Sequence, residues 1–71
     1  MKQVFINKEP VELYKIIKFE GIRASGAEAK AAIADGNVKL NGEFETRKRK
    51  QIVAGDVIEC DGETFQIQLE G

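Results

Sequence analysis

The sequence predicts an α+β fold in which two short helices pack together with a small antiparallel sheet of about four to five strands. Three observations carry this prediction. Apolar residues recur at helical spacing between residues 11 and 34, and they switch to alternation from residue 38 onward. The dipeptides Asn41-Gly42 and Asp61-Gly62 then punctuate the second half where hairpins would turn. With 71 residues there is room for one domain, 1–71. A domain of that size buries only about 60% of the surface its unfolded chain exposes, so a surface site is expected rather than an interior cavity.

Val4, Phe5 and Ile6 read as a short first strand. Pro10 suits the first turn of a helix, where its missing N–H costs nothing, and the spacing predicts a helix over 11–19 with Leu13, Ile16 and Ile17 on one stripe. Gly21 is placed to end it. Ser25, followed three residues later by Glu28, has the spacing of a capping box, so a second helix is expected through AEAKAAIA with Gly36 as its C-terminal cap. Ala29, Ala32 and Ile33 would be its buried side, leaving Lys30 outside. Val38 and Leu40 begin the alternating region, Asn41-Gly42 turns it, and Phe44 brings it back toward a basic run, Arg47 to Lys50. Ile52 and Val53 are expected to re-enter the body, followed by a turn at Ala54-Gly55 and a strand from Val57 to Cys60. Asp61-Gly62 then leads into Glu63 to Leu69, with Phe65, Ile67 and Leu69 facing inward.

Composition narrows the function. The chain is 42% hydrophobic and 32% charged, which suits a folded domain, and no apolar run approaches the roughly 20 residues that cross a bilayer. The apolar-rich run near the N-terminus, within MKQVFINKEP, is too short for a signal-peptide core, so a cytoplasmic location is expected. Cys60 is the single cysteine and there is no histidine, which removes disulfides, thiolate clusters and the commonest general base. Neither enzyme chemistry, a cofactor nor a metal is expected. The net charge of −1 conceals polarity: residues 23–50 hold seven cations against four carboxylates, whereas residues 51–71 hold five carboxylates and no cation.

Four consecutive cations, Arg47, Lys48, Arg49 and Lys50, are tolerated only where water, counterions or an anionic partner surrounds them. Arginine presents a planar fork of donors that matches phosphate oxygens, and lysine adds a mobile point charge, so the run suits an irregular polyanion. The second helix offers an N-terminus that favours anions, and Lys39 could extend the patch. Phe44 and Phe65 read as core, so no aromatic platform for splayed bases is expected. Tyr14 is expected to pack its ring on the body, Cys60 to be a small core residue, and the late carboxylates to solubilise the opposite end.

The segments SGAEAK from Ser25, IADGNV from Ile33, the Asn41-Gly42 turn, ETRKR from Glu45 and IVAGDV from Ile52 together resemble the αL RNA-binding domain first known from a small-subunit ribosomal protein, the S-four domain. Within it they resemble the small stand-alone bacterial YbcJ-like branch. The likeness covers roughly residues 11 to 60. It implies an αL motif whose second helix, hairpin and loop hold structured RNA, ribosomal RNA above all, through the phosphate backbone. The implied contacts are Ser25 and Lys30 on the helix, Asn37, Lys39 and Asn41 on the hairpin, and Arg47, Lys48 and Arg49 in the loop, with Lys50 completing the run. Many larger family members carry an arginine directly after the capping serine. Gly26 stands there, and Arg23 is the candidate replacement. A monomeric, ribosome-associated RNA-binding protein is the resulting expectation, without membrane or small-molecule partners. The competing reading is an adaptor that docks an acidic protein through the same loop. A β-grasp sulfur carrier is disfavoured because the chain ends Leu69-Glu70-Gly71 and lacks a terminal Gly-Gly.

Overall fold

The computed structural model describes residues 1–70, arranged as β1 (Lys2–Ile6), β2 (Val11–Glu12), α1 (Leu13–Phe19), α2 (Gly26–Ala34), β3 (Val38–Leu40), β4 (Glu43–Phe44), β5 (Gln51–Ile52), β6 (Val57–Cys60) and β7 (Glu63–Leu69). Both helices end by the same device. At the end of α2 the Gly36 N–H donates to the Ile33 carbonyl and the Asn37 N–H to the Ala32 carbonyl, at 3.1 and 3.0 Å. This paired closure needs a left-handed residue, which Gly36 supplies at φ 80°. The N–H groups of Gly21 and Ile22 close α1 onto Lys18 and Ile17 in the same way. At the start of α2, Ser25 Oγ accepts from the Glu28 N–H at 3.2 Å, and the Glu28 carboxylate accepts from the Ala24 N–H at 3.1 Å. That is the expected box with its return bond moved back one residue.

The α+β class holds, with one correction to the sheet. Five strands are ordered β1-β7-β6-β3-β4, and β1 runs parallel to β7, so the sheet is mixed rather than antiparallel throughout. The first strand pairs with the last because the helices carry the intervening chain over one face, and no turn signal marks such a long-range pairing. A second correction concerns α1, which begins at Leu13. Val11 and Glu12 instead form a two-residue antiparallel bridge with Ile52 and Gln51.

The core lies between the helices and one sheet face. Leu13, Ile16 and Ile17 from α1 and Ala29, Ala32 and Ile33 from α2 meet Val4, Val38, Ile58, Cys60, Phe65 and Ile67, with Ile52 closing one end. The small side chains of α2 are what allow close approach to α1. On the opposite, open sheet face Gln68 donates to Gln3 at 2.8 Å and to Gln66 at 3.2 Å. Val53, expected to re-enter, is exposed, as are Leu69 and Phe44.

Candidate nucleic-acid interface

Helix α1 has no side-chain cap at Glu12, yet its first N–H groups need acceptors. The basic loop provides them. The Leu13 N–H donates to the Lys50 carbonyl at 2.9 Å and the Tyr14 N–H to the Lys48 carbonyl at 3.2 Å. Lys50 N–H in turn donates to the Arg47 carbonyl at 3.2 Å, closing the four cations into a single turn. The run is therefore a cap on α1 as well as a cluster of charge.

Tyr14 then joins the loop to α2. Lys30 Nζ stands 4.6 Å from the Tyr14 ring centroid, a cation–π distance, and Gly26 lies over the ring edge, where a β-carbon would meet Cε2 at 3.8 Å. Backbone bonds on one side of Tyr14 and ring contacts on the other place Lys30, Lys48 and the start of α2 on one connected surface.

Two of the arginines are held from within. Arg47 donates from its backbone N–H and Nε to Glu45 Oε2, both at 3.0 Å, and from Nη2 to Oε1 at 3.1 Å. Glu45 points inward because its N–H bonds to the Val38 carbonyl, in line with the inward side of β3, and it is the one buried charged residue among those described. The Arg47 bonds hold its carboxyl below the ordinary glutamate range, against the opposing effect of burial. Arg49 Nε lies 3.6 Å from Glu12, which Lys15 shares at 3.1 Å. Among the described residues Lys48 pairs with no carboxylate.

The remaining predicted contacts are placed differently. Lys39 alternates with the buried Val38 and so lies on the outer sheet face, opposite Glu59, with its Nζ 4.9 Å from the Phe44 centroid. It does not share the face of Lys30. Arg23 donates from Nε and Nη2 to both carboxylate oxygens of Asp61, at 2.9 and 3.0 Å, so the acidic third reaches the basic middle at this point. Asn41 is occupied by the fold: its Oδ1 accepts from the Val57 N–H at 2.9 Å and its Nδ2 donates to Asp56 at 3.1 Å. Its φ of 53° beside Gly42 makes the expected two-residue turn. Asn37 is exposed at the end of α2, and Ser25 is engaged as its cap.

Phe44 is not a core residue, contrary to the expectation from its hydrophobicity, and the correcting signal lies in the hairpin itself. A two-residue turn at 41–42 pairs residue 40 with 43 and 39 with 44, as observed, which puts Phe44 on the outward face of Lys39. Tyr14, Glu12 and Glu45 organise the site, although only their tertiary partners reveal it. Among the described residues no group of His, Cys, Asp or Glu side chains could hold a metal ion, and no helix is long and apolar enough to cross a membrane.

A family model of the S4 domain matches residues 4–68, which takes in both helices, the hairpin and the docked loop. The chain belongs to the S4 domain family. YbcJ of Escherichia coli strain K12 is 49% identical over 63 residues, covering 87% of this chain and 90% of that protein, and YbcJ of Shigella flexneri matches to the same extent. The solution structure of E. coli YbcJ, whose αL motif is involved in RNA-binding, superposes with a TM-score of 0.73 at 46% identity, over 96% of this chain and 87% of that one. The crystal structure of the 30S ribosomal protein S4e from Thermoplasma acidophilum gives 0.70 at 30% identity, over 84% of this chain but 32% of that one. There the matching fold is one part of a larger ribosomal protein. The family and its fold are those of a binding domain rather than an enzyme.

Proposed function

We propose that this protein binds structured RNA, with ribosomal RNA the leading class, by gripping its phosphate backbone on the surface formed by α2, Tyr14 and the Arg47–Lys50 turn. The single observation that carries the reading is the docking of that turn on α1 through Leu13 and Tyr14, with Lys30 seated on the Tyr14 ring. A cation run on a free loop would lose conformational entropy on binding, whereas this one is already ordered. The RNA-binding αL motif of E. coli YbcJ, at 46% identity, supports the ligand class, and the likeness to a 30S ribosomal protein supports ribosomal RNA. Lys30, Lys48, Arg49 and Lys50 are the proposed phosphate contacts. Arg47 serves partly to hold the loop, while Arg23 and Asn41 serve the fold. A monomer acting in the cytoplasm fits this role.

The test replaces Lys30, Lys48, Arg49 and Lys50 with glutamine. The loop docks through backbone carbonyls, so circular dichroism should be unchanged. Affinity for ribosomal RNA fragments should fall at least about tenfold, and the slope of log K against log salt should flatten by about 0.7–0.9 for each phosphate no longer neutralised. Unaltered affinity and slope would overturn the assignment. Protein partners recovered from extract that survive ribonuclease would instead favour an adaptor docking an acidic protein.

A further inference from the structure

The phosphate surface leaves Phe44 without a role, although it is 69% exposed on a strand where a polar residue would serve. A lone exposed apolar side chain is ordinary, but this one has particular neighbours. Lys39, its cross-strand partner, holds an ammonium 4.9 Å from the ring centroid. The ring also borders an open depression of about 500 Å³, which it shares with Thr46, Arg47, Lys50 and Gln51 among others. Three carboxylates also line it: Glu45 is satisfied by Arg47, Asp56 by the Asn41 amide and the Val53 N–H, and Glu43 is exposed at the hairpin end, opposite Leu40. Arg47 keeps 71% of its side chain exposed despite that pairing, so it still faces outward. An exposed ring with the cations Lys39, Arg47 and Lys50 near it combines the two elements that hold an unstacked nucleotide, a π-face and charge for the adjoining phosphates.

We infer that Phe44 is a stacking platform for one unpaired base of the bound RNA, with Lys39 on one adjoining phosphate and Arg47 and Lys50 on the other. The inference deepens the RNA reading above and rests on it. It extends recognition from the helical backbone to a loop or bulge, so the preferred ligand is a paired stem with an unpaired base beside it.

Two RNA probes separate the possibilities: a stem-loop with unpaired adenines in its loop, and a blunt duplex of the same stem. Phe44→Ala and Phe44→Leu should each weaken stem-loop binding roughly tenfold while changing duplex binding less than about twofold, since leucine keeps the apolar bulk but not the π-face. The chain contains no tryptophan, so Phe44→Trp reports directly. Its fluorescence should be quenched by the stem-loop and not by the duplex. Full stem-loop affinity in either truncated variant, or equal loss on both RNAs, overturns the stacking role while leaving the RNA reading intact. Absence of salt-sensitive binding of either RNA by the unaltered protein overturns both.

Discussion

Glu45 and Arg47, two residues apart, hold each other through three hydrogen bonds, one from the Arg47 backbone N–H and two from its guanidinium. The pair sits where the hairpin hands over to the loop, with the carboxylate turned inward and the guanidinium outward. The charge that faces solvent is therefore anchored by a charge that does not. Glu45→Gln should cost about 1 kcal/mol in urea unfolding at pH 7, the net contribution expected of charge-assisted bonds with one exposed partner. The Glu45 carboxyl is depressed in the folded state, so its contribution is fully present above the ordinary glutamate pKa. It is lost as pH falls below about 4.3 and through the folded value. The variant should lack this share of the acid dependence. An acid titration identical to that of the unaltered protein would show that the pair contributes nothing.

Arg23 and Asp61 connect the segment before α2 to the turn between β6 and β7. Because the guanidinium already commits its fork to a carboxylate, Arg23→Gln is expected to lower stability slightly and to change RNA affinity less than about threefold, well short of the loss from the loop lysines. Filter binding alongside thermal unfolding would check both. A loss as large as that of the loop variant would place Arg23 among the direct contacts.

Gly26 directly follows the capping Ser25 and opens α2. A β-carbon there meets Tyr14 Cε2 and Cδ2 at 3.8 and 3.9 Å, which is ordinary contact, so a side chain is accommodated. Gly26→Ala should raise stability by about 0.4–1 kcal/mol through the unfolded chain's reduced freedom. Gly26→Arg should add a cation beside Lys30, tighten RNA binding several-fold and steepen the salt slope by about 0.7–0.9. No change in slope would mean that the start of α2 lies outside the interface.

Cys60 is buried in the core, and burial, with the neighbouring Asp61 charge secondary, pushes its thiol up to about 11. The folded protein should resist iodoacetamide at pH 8 and react only after denaturant exposes the thiol. The unfolded thiol ionises near pH 8.5 while the folded one stays protonated, so this group makes stability fall as pH rises above about 8.5 toward the folded value. Rapid alkylation without denaturant would contradict the burial.

Most of the local structure is legible in the residues themselves. The Ser25–Glu28 box, the stop at Gly36, the turns at Asn41-Gly42 and Asp61-Gly62 and the buried stripe Leu13, Ile16 and Ile17 are all written at fixed short spacings. A cap, a left-handed turn or an amphipathic period is decided by neighbours within about four residues, so one segment suffices to read it. The basic run and its family likeness are equally plain. What the chain's order does not disclose is where that run docks. The bonds from Leu13 and Tyr14 to Lys50 and Lys48 use backbone groups that every residue but proline carries, so nothing in the side chains announces them. The same holds for β1 beside β7 and β2 beside β5. Tertiary structure also decided which cations are committed to partners, Arg23 to Asp61 and Arg47 to Glu45, because an ion pair is a matter of distance in space. The residue types supplied a run of four cations, and the folding of the loop onto α1 set that run beside Tyr14 and α2.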